Sequence, residues 1–270
     1  MRMLLMEMKK IWNPGILAVL LLVGGLYSFC FPSFYIRYFC NGPYAQTEFD
    51  LLTQLSLLPD FFETNTSEYA ATMAVWIVLG NVLLLSPTLV RDRLCRTRAM
   101  QWASCIGRKT ILFQTAAGLI SSLAFTAISI AAYALPFFSQ GIAVFLNCPI
   151  SHTIVLDHAL FDFTYGQYLM ILALAALGLG AAAGAFTLFL SRFSASYIAM
   201  LLKAIPLFIL LGCIYGYWLF NGLFYIRLFY ASFDFSISKG ADGISLVIVL
   251  ILDLGLCLGA GIRQKKQEIL

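Results

Sequence analysis

Charge is scarce in this chain of 270 residues: Lys, Arg, Asp and Glu make up 11% of it, against roughly a quarter in soluble globular domains. With 61% hydrophobic residues alongside, that scarcity excludes a water-soluble fold of this length. Such a fold would have to cover its surface with polar side chains that are not there. Histidine is nearly absent, and both copies, His152 and His158, fall in a polar stretch between apolar ones. The seven cysteines show no C-x-x-C spacing, which argues against a disulfide framework or a structural zinc site and leaves them as small apolar filler. No G-x-x-x-x-G-K-[ST] loop occurs. In Gly107-Arg108-Lys109-Thr110 an arginine interrupts the motif, so no nucleotide is expected to be bound or hydrolysed on this chain. The residues indicate no catalytic group, cofactor or metal of its own.

What is present is a series of long apolar runs. Six stretches, about 15–36, 69–90, 110–135, 166–190, 197–221 and 243–262, are long enough to cross a hydrocarbon core, which takes about 20 residues of helix. None alternates with period two, and backbone groups in hydrocarbon must be paired internally, so these stretches predict helices rather than barrel strands. The first could be mistaken for a signal peptide, because Arg2, Lys9 and Lys10 precede it. It is too long for an h-region and lacks an A-x-A site, and is expected to remain as an anchor. The expected fold is an all-α membrane protein with six transmembrane helices in one domain, 1–270.

The basic residues orient it. Arg2, Lys9, Lys10, Arg91, Arg93, Arg96, Arg98, Arg108, Lys109, Arg192, Lys203, Arg263, Lys265 and Lys266 fall on one side of such a topology, and only Arg37, Arg227 and Lys239 on the other. The positive-inside rule makes the first side cytoplasmic and places both ends of the chain there. Of the outer connections, 37–68 carries a possible surface helix at Phe49–Leu58, and 222–242 is crowded with aromatics such as Phe224, Tyr225 and Phe229. Those aromatics suit the headgroup region. Asn65-Thr66-Ser67 matches a glycosylation sequon on the outer side. His152, Asp157, His158 and Asp162 form the one His/carboxylate cluster, which reads as solvated loop residues rather than a metal site, since a site needs three or four ligands in fixed geometry.

Three interior features stand out. The inner segment Arg91–Lys109 predicts a short helix over 91–105, on which Arg91, Arg93, Leu94, Arg96, Arg98, Gln101 and Trp102 mix cations with apolar side chains. It reads either as a basic loop that only fixes topology or as a docking helix for a cytoplasmic partner. Ala176, Gly180 and Gly184, and again Gly255 and Gly259, are small residues spaced by four; such faces let helices approach closely, within one chain or across a dimer seam. Asp253 lies near the middle of the last stretch, where a charge must face protein or water. Lys203 sits about five residues inside span five, so at 1.5 Å per residue the two lie roughly 7.5 and 13.5 Å from the cytoplasmic ends of their helices. A structural Lys203–Asp253 pair is the first reading, and an ion- or proton-coupling role for Asp253 the second.

The order of these parts resembles the ABC-2 type permease family of bacterial ATP-binding cassette transporters. A short basic N-terminal segment leads into helix one, a long outer loop and helix two; a basic inner helix ending in Gly107-Arg108-Lys109 precedes four more spans. The similarity is one of architecture over the whole chain, with Leu85-Ser86-Pro87 to Lys109 its most suggestive run. It implies an amphipathic elbow at 1–12, a coupling helix at 91–105 and re-entrant outer helices at about 222–238. It further implies a plasma-membrane permease, an exporter, that pairs with a second copy or a sister permease. An ABC ATPase subunit would hold the ATP and Mg. A non-transporting sensor or assembly subunit of such a complex fits the same features, and an ion-coupled carrier using Asp253 is a further alternative. The acidic outer segments favour an amphipathic or cationic substrate; nucleic acid is not an expected partner.

The orientation is testable with native cysteines retained one at a time. A membrane-impermeant maleimide should label Cys148 in intact cells but Cys105 only in inverted vesicles; the opposite pattern would invert the topology.

Overall fold

The computed structural model describes residues 2–40, 68–94, 107–139, 146–147, 164–216, 220, 247–252, 255 and 259. Among the described residues regular structure is helical: α1 (Arg2–Ile11), α2 (Pro14–Cys40), α3 (Glu68–Leu94), α4 (Gly107–Ser139), α5 (Tyr165–Arg192) and α6 (Tyr197–Leu207), the last continuing as a π-helical segment, Phe208–Gly216. Among the described residues four helices are long and apolar enough to cross a membrane, over Tyr69–Asp92, Phe113–Pro136, Tyr165–Arg192 and Tyr197–Gly216. A fifth crossing is made if the bent pair α1–α2 counts as one span. Of the sixth expected stretch, 243–262, only residues 247–252, 255 and 259 are described, all helical.

Local sequence explains where these helices start and bend. Asn13 caps α2, its Oδ1 accepting from the Gly15 amide at 3.1 Å, and Pro14 takes the first helical position, where a missing N–H costs nothing. The break at Trp12-Asn13 turns α1 away from α2 by 57°. Thr164 and Gln167 close a reciprocal capping box on α5, and Ser196 caps α6 through the Ala199 amide. Pro206 removes one donor from α6. Two residues later the ladder widens to the π register, with the Phe208 amide shared between the Ala204 and Ile205 carbonyls.

Helices α3, α4 and α5 form an antiparallel bundle whose two ends are fixed by side chains. At one end the Tyr69 hydroxyl, at the start of α3, donates to the Tyr133 carbonyl near the end of α4 at 2.9 Å. At the other, Gln114 near the start of α4 donates to Asp92 near the end of α3 at 3.0 Å. Within its most apolar stretch α3 is 69% buried, against 22% for Tyr197–Gly216, so α3 is the central helix. It touches α1, α2, α4, α5, α6 and the π segment. Its residues Ala70, Ala74, Ile77 and Val78 enter one core with Ala176, Leu179 and Leu211. Leu84 and Leu85 enter a second, with Ile11, Leu20, Ala117 and Leu188. The periphery is apolar too: Leu22, Leu135, Met170 and Leu202 stand largely exposed. Water would not tolerate such a surface, whereas lipid tails are as apolar as leucine.

Gly180 and Gly184 sit where α5 meets α4. A Cβ on Gly180 would overlap Thr126 Oγ1, and one on Gly184 would overlap Ser122 Oγ, so these glycines serve packing within this chain. On Gly255 or Gly259 a Cβ would meet nothing within 4 Å among the described residues. Gly180→Val and Gly184→Val should each cost about 1–3 kcal/mol through overpacking, read as a lower melting temperature in detergent. Gly255→Val, which meets none of the described residues, should leave the melting temperature nearly unchanged.

Candidate functional site

The candidate site is the charged end of the bundle, where α1, the last turn of α3, the start of α4 and the end of α5 meet. α1 alternates Leu4, Met8 and Ile11 with Glu7 and Lys10 at helical spacing, so one side packs while the other meets the charged end. Lys10 Nζ lies 2.9 Å from Glu7 Oε1 on its own helix and 3.5 Å from Asp92 Oδ1 on α3. Asp92 therefore joins three helices, receiving Lys10 from α1 and Gln114 from α4. About two turns further along α4 than Gln114, the Trp12 indole N–H donates to Ser121 Oγ at 3.0 Å, which ties the elbow to α4 directly.

Arg192 ends α5 and is buried, with an Nη2 donor on Thr115 Oγ1 of α4. Next to it Ser191 Oγ donates to the Ser86 carbonyl of α3 at 3.4 Å. Lys203 reaches back along α6, and its Nζ donates to the Phe193 carbonyl at 3.0 Å. A lysine there satisfies a terminal carbonyl of α5 and sits at the negative end of its dipole. Its long stem lets the ammonium return toward the polar boundary. The proposed partner Asp253 lies outside the described residues. So do Arg96, Arg98, Gln101 and Trp102, the side chain of Arg93, and the segment 222–238; Arg91 and Leu94 are exposed at the end of α3.

A second polar feature lies in the interior, and sequence reasoning missed it. Asn81, fully buried on α3, donates through Nδ2 to the Ile77 carbonyl at 2.9 Å and to Thr126 Oγ1 at 3.2 Å. Thr126 donates to the Ser122 carbonyl, and Ser122 Oγ donates to the Gly180 carbonyl at 2.7 Å. These groups join α3, α4 and α5 at mid-span. Two signals were available: Asn81 is the lone carboxamide in its apolar run, and Thr115, Ser122, Thr126 and Ser129 fall at intervals of seven, four and three on α4. Inter-helix hydrogen bonds of this kind contribute about 0.6 kcal/mol each on average. The seam therefore sets register more than overall stability. Among the described residues no three His, Cys, Asp or Glu side chains come together as metal ligands would.

Comparison of the chain with protein-family models, curated proteins and solved structures finds no match.

A double-mutant cycle of Lys10→Met and Asp92→Leu, read by thermal unfolding in detergent, should return a favourable coupling of about 0.2–1 kcal/mol, the range for a partly exposed pair. A coupling of zero would remove α1 from the charged end.

Proposed function

We propose that this chain is the membrane-spanning permease subunit of an ABC-2 type, ATP-driven transporter, with six spans and its ATPase on a separate chain. The observation that carries the reading is that the helix ends on either side of 95–106 meet α1 in one charged cluster. Asp92 closes α3 against Lys10, and Gln114 opens α4 against Asp92. A partner that grips 91–105 would hold the ends of both helices at once. Because α3 contacts α1, α2, α4, α5, α6 and the π segment, displacement of its end would be felt by each of them. The distribution of basic residues favours a cytoplasmic location for this end, which is where an ATPase would dock.

In this reading Arg91, Arg93, Arg96, Arg98 and Trp102 contact the ATPase, and ATP with its Mg stays on that partner. A second permease, identical or a sister chain, completes the translocation path. Binding energy released on ATP-driven closure would tilt the two halves and alternate access to a cleft between them; the fold analogy motivates this step.

Purification of the tagged chain from its native membrane in mild detergent should bring an ABC ATPase in near-stoichiometric amount. Changing Arg93, Arg96, Arg98 and Trp102 together to alanine should release that ATPase while the permease remains monodisperse. Intact chain with no ATPase, under conditions that preserve known ABC complexes, would sink the proposal.

A further inference from the structure

We propose that α1 and the last turn of α3 form a docking surface for anionic phospholipid headgroups of the leaflet that borders the charged end. This does not depend on the transporter reading and would hold for any function of the bundle. α1 leaves the direction of α2 by 57°. Its inner side, with Leu4, Met8 and Ile11, belongs to the core that includes Leu84, Leu85 and Ala117. Its outer side carries two exposed apolar residues, Leu5 at 58% and Met6 at 64%, together with exposed Lys9. An apolar side chain and a cation on the same outward surface suit neither bulk water nor the hydrocarbon centre. They suit the boundary, where Leu5 and Met6 enter the acyl region and Lys9 reaches the phosphates.

The height of α1 on the bundle agrees. Its last residues are tied at two levels, Lys10 to Asp92 at the end of the Tyr69–Asp92 span and Trp12 to Ser121 within the Phe113–Pro136 span. α1 therefore lies along the polar–apolar border. Charge selects the class of lipid. In sequence, Arg2, Lys9, Lys10, Arg91 and Arg93 outnumber the acids on these segments, Glu7 and Asp92, and Lys10 already engages both. Lys9 and Arg91 are exposed, and among the described residues no carboxylate lies within ion-pair distance of either. Their complement is a phosphodiester headgroup with a net negative charge. A zwitterionic headgroup cancels its own phosphate and gains far less. Each such cation near a surface of anionic lipid contributes about 1 kcal/mol, equal to roughly a fivefold preference.

The intact chain would be reconstituted with spin-labelled phosphatidylglycerol or spin-labelled phosphatidylcholine, and their relative association constants measured. The wild type should favour phosphatidylglycerol, less so as ionic strength rises. Lys9→Gln with Arg91→Gln should lower the preference by about fivefold per cation, while Lys9→Arg with Arg91→Lys should keep it. Equal association of the two lipids with the wild type would overturn the proposal. So would a preference insensitive to both salt and the neutral variant. Release of a co-purifying protein by the neutral variant, with lipid preference unchanged, would assign the surface to a protein partner and overturn it as well. If the neutral variant loses its monodisperse peak, the salt titration of the wild type decides alone.

Discussion

The close approach of α5 to α4 is the contact on which the rest of the bundle depends. In lipid, apolar surface gives helices little reason to prefer each other over acyl chains, so association rests on tight packing and inter-helix hydrogen bonds. At Gly180 and Gly184 both act at one place. The missing side chains let α4 come near enough for Ser122 Oγ to donate to the Gly180 carbonyl, and the same approach carries Thr126 to Asn81 on α3. The register set there places Thr115 opposite Arg192 at one end and Tyr133 opposite Tyr69 at the other. A slip of one residue on α5 would turn Gly180 off this face and drive the side chain of Ala181 or Leu179 against α4.

That seam also decides which helix can carry a signal. α3 is enclosed by neighbours along most of its length, whereas most of the Tyr197–Gly216 span is exposed. An enclosed helix cannot shift its end without repacking its partners, because close-packed interiors transmit displacement instead of absorbing it. The charged cluster at Asp92 lies at the end of this helix.

Much of the gross architecture was legible in the sequence, because hydrocarbon leaves one solution for a long apolar run. The stretches 69–90, 110–135, 166–190 and 197–221 fall on helices α3, α4, α5 and α6 with its π segment, and 15–36 on α2. Gly180 and Gly184 were visible as a close-packing face, though not the surface they meet. The details that require pairing between distant residues were hidden. Nothing local shows that Lys10 finds Asp92, or that Trp12 finds Ser121 across 109 positions. Lys203 adds a contact that no local signal announced: its ammonium reaches the Phe193 carbonyl. A helix C-terminus supplies acceptors that a search for opposite charges overlooks. The widening to a π-helix after Pro206 was likewise unreadable, since a proline announces a lost bond but not how the ladder re-forms.

Pro87 gives the charged end of α3 a mechanical character of its own. Its ring removes the bond that would reach the Leu83 carbonyl, and prolines within helices are where kinks arise. The residue thus separates a segment anchored in the polar seam at Asn81 from the last two turns, which end at Leu94. Two kinds of contact hold the shorter segment: Lys10 and Gln114 reach Asp92, and Val90 is fully buried in the core that includes Ile77 and Leu179. A displacement of the end of α3 would therefore reach α1 and α4 through Asp92 and the core through Val90. Because Val90 is close-packed, that end cannot move by exchanging polar contacts alone; the core beside it must repack as well.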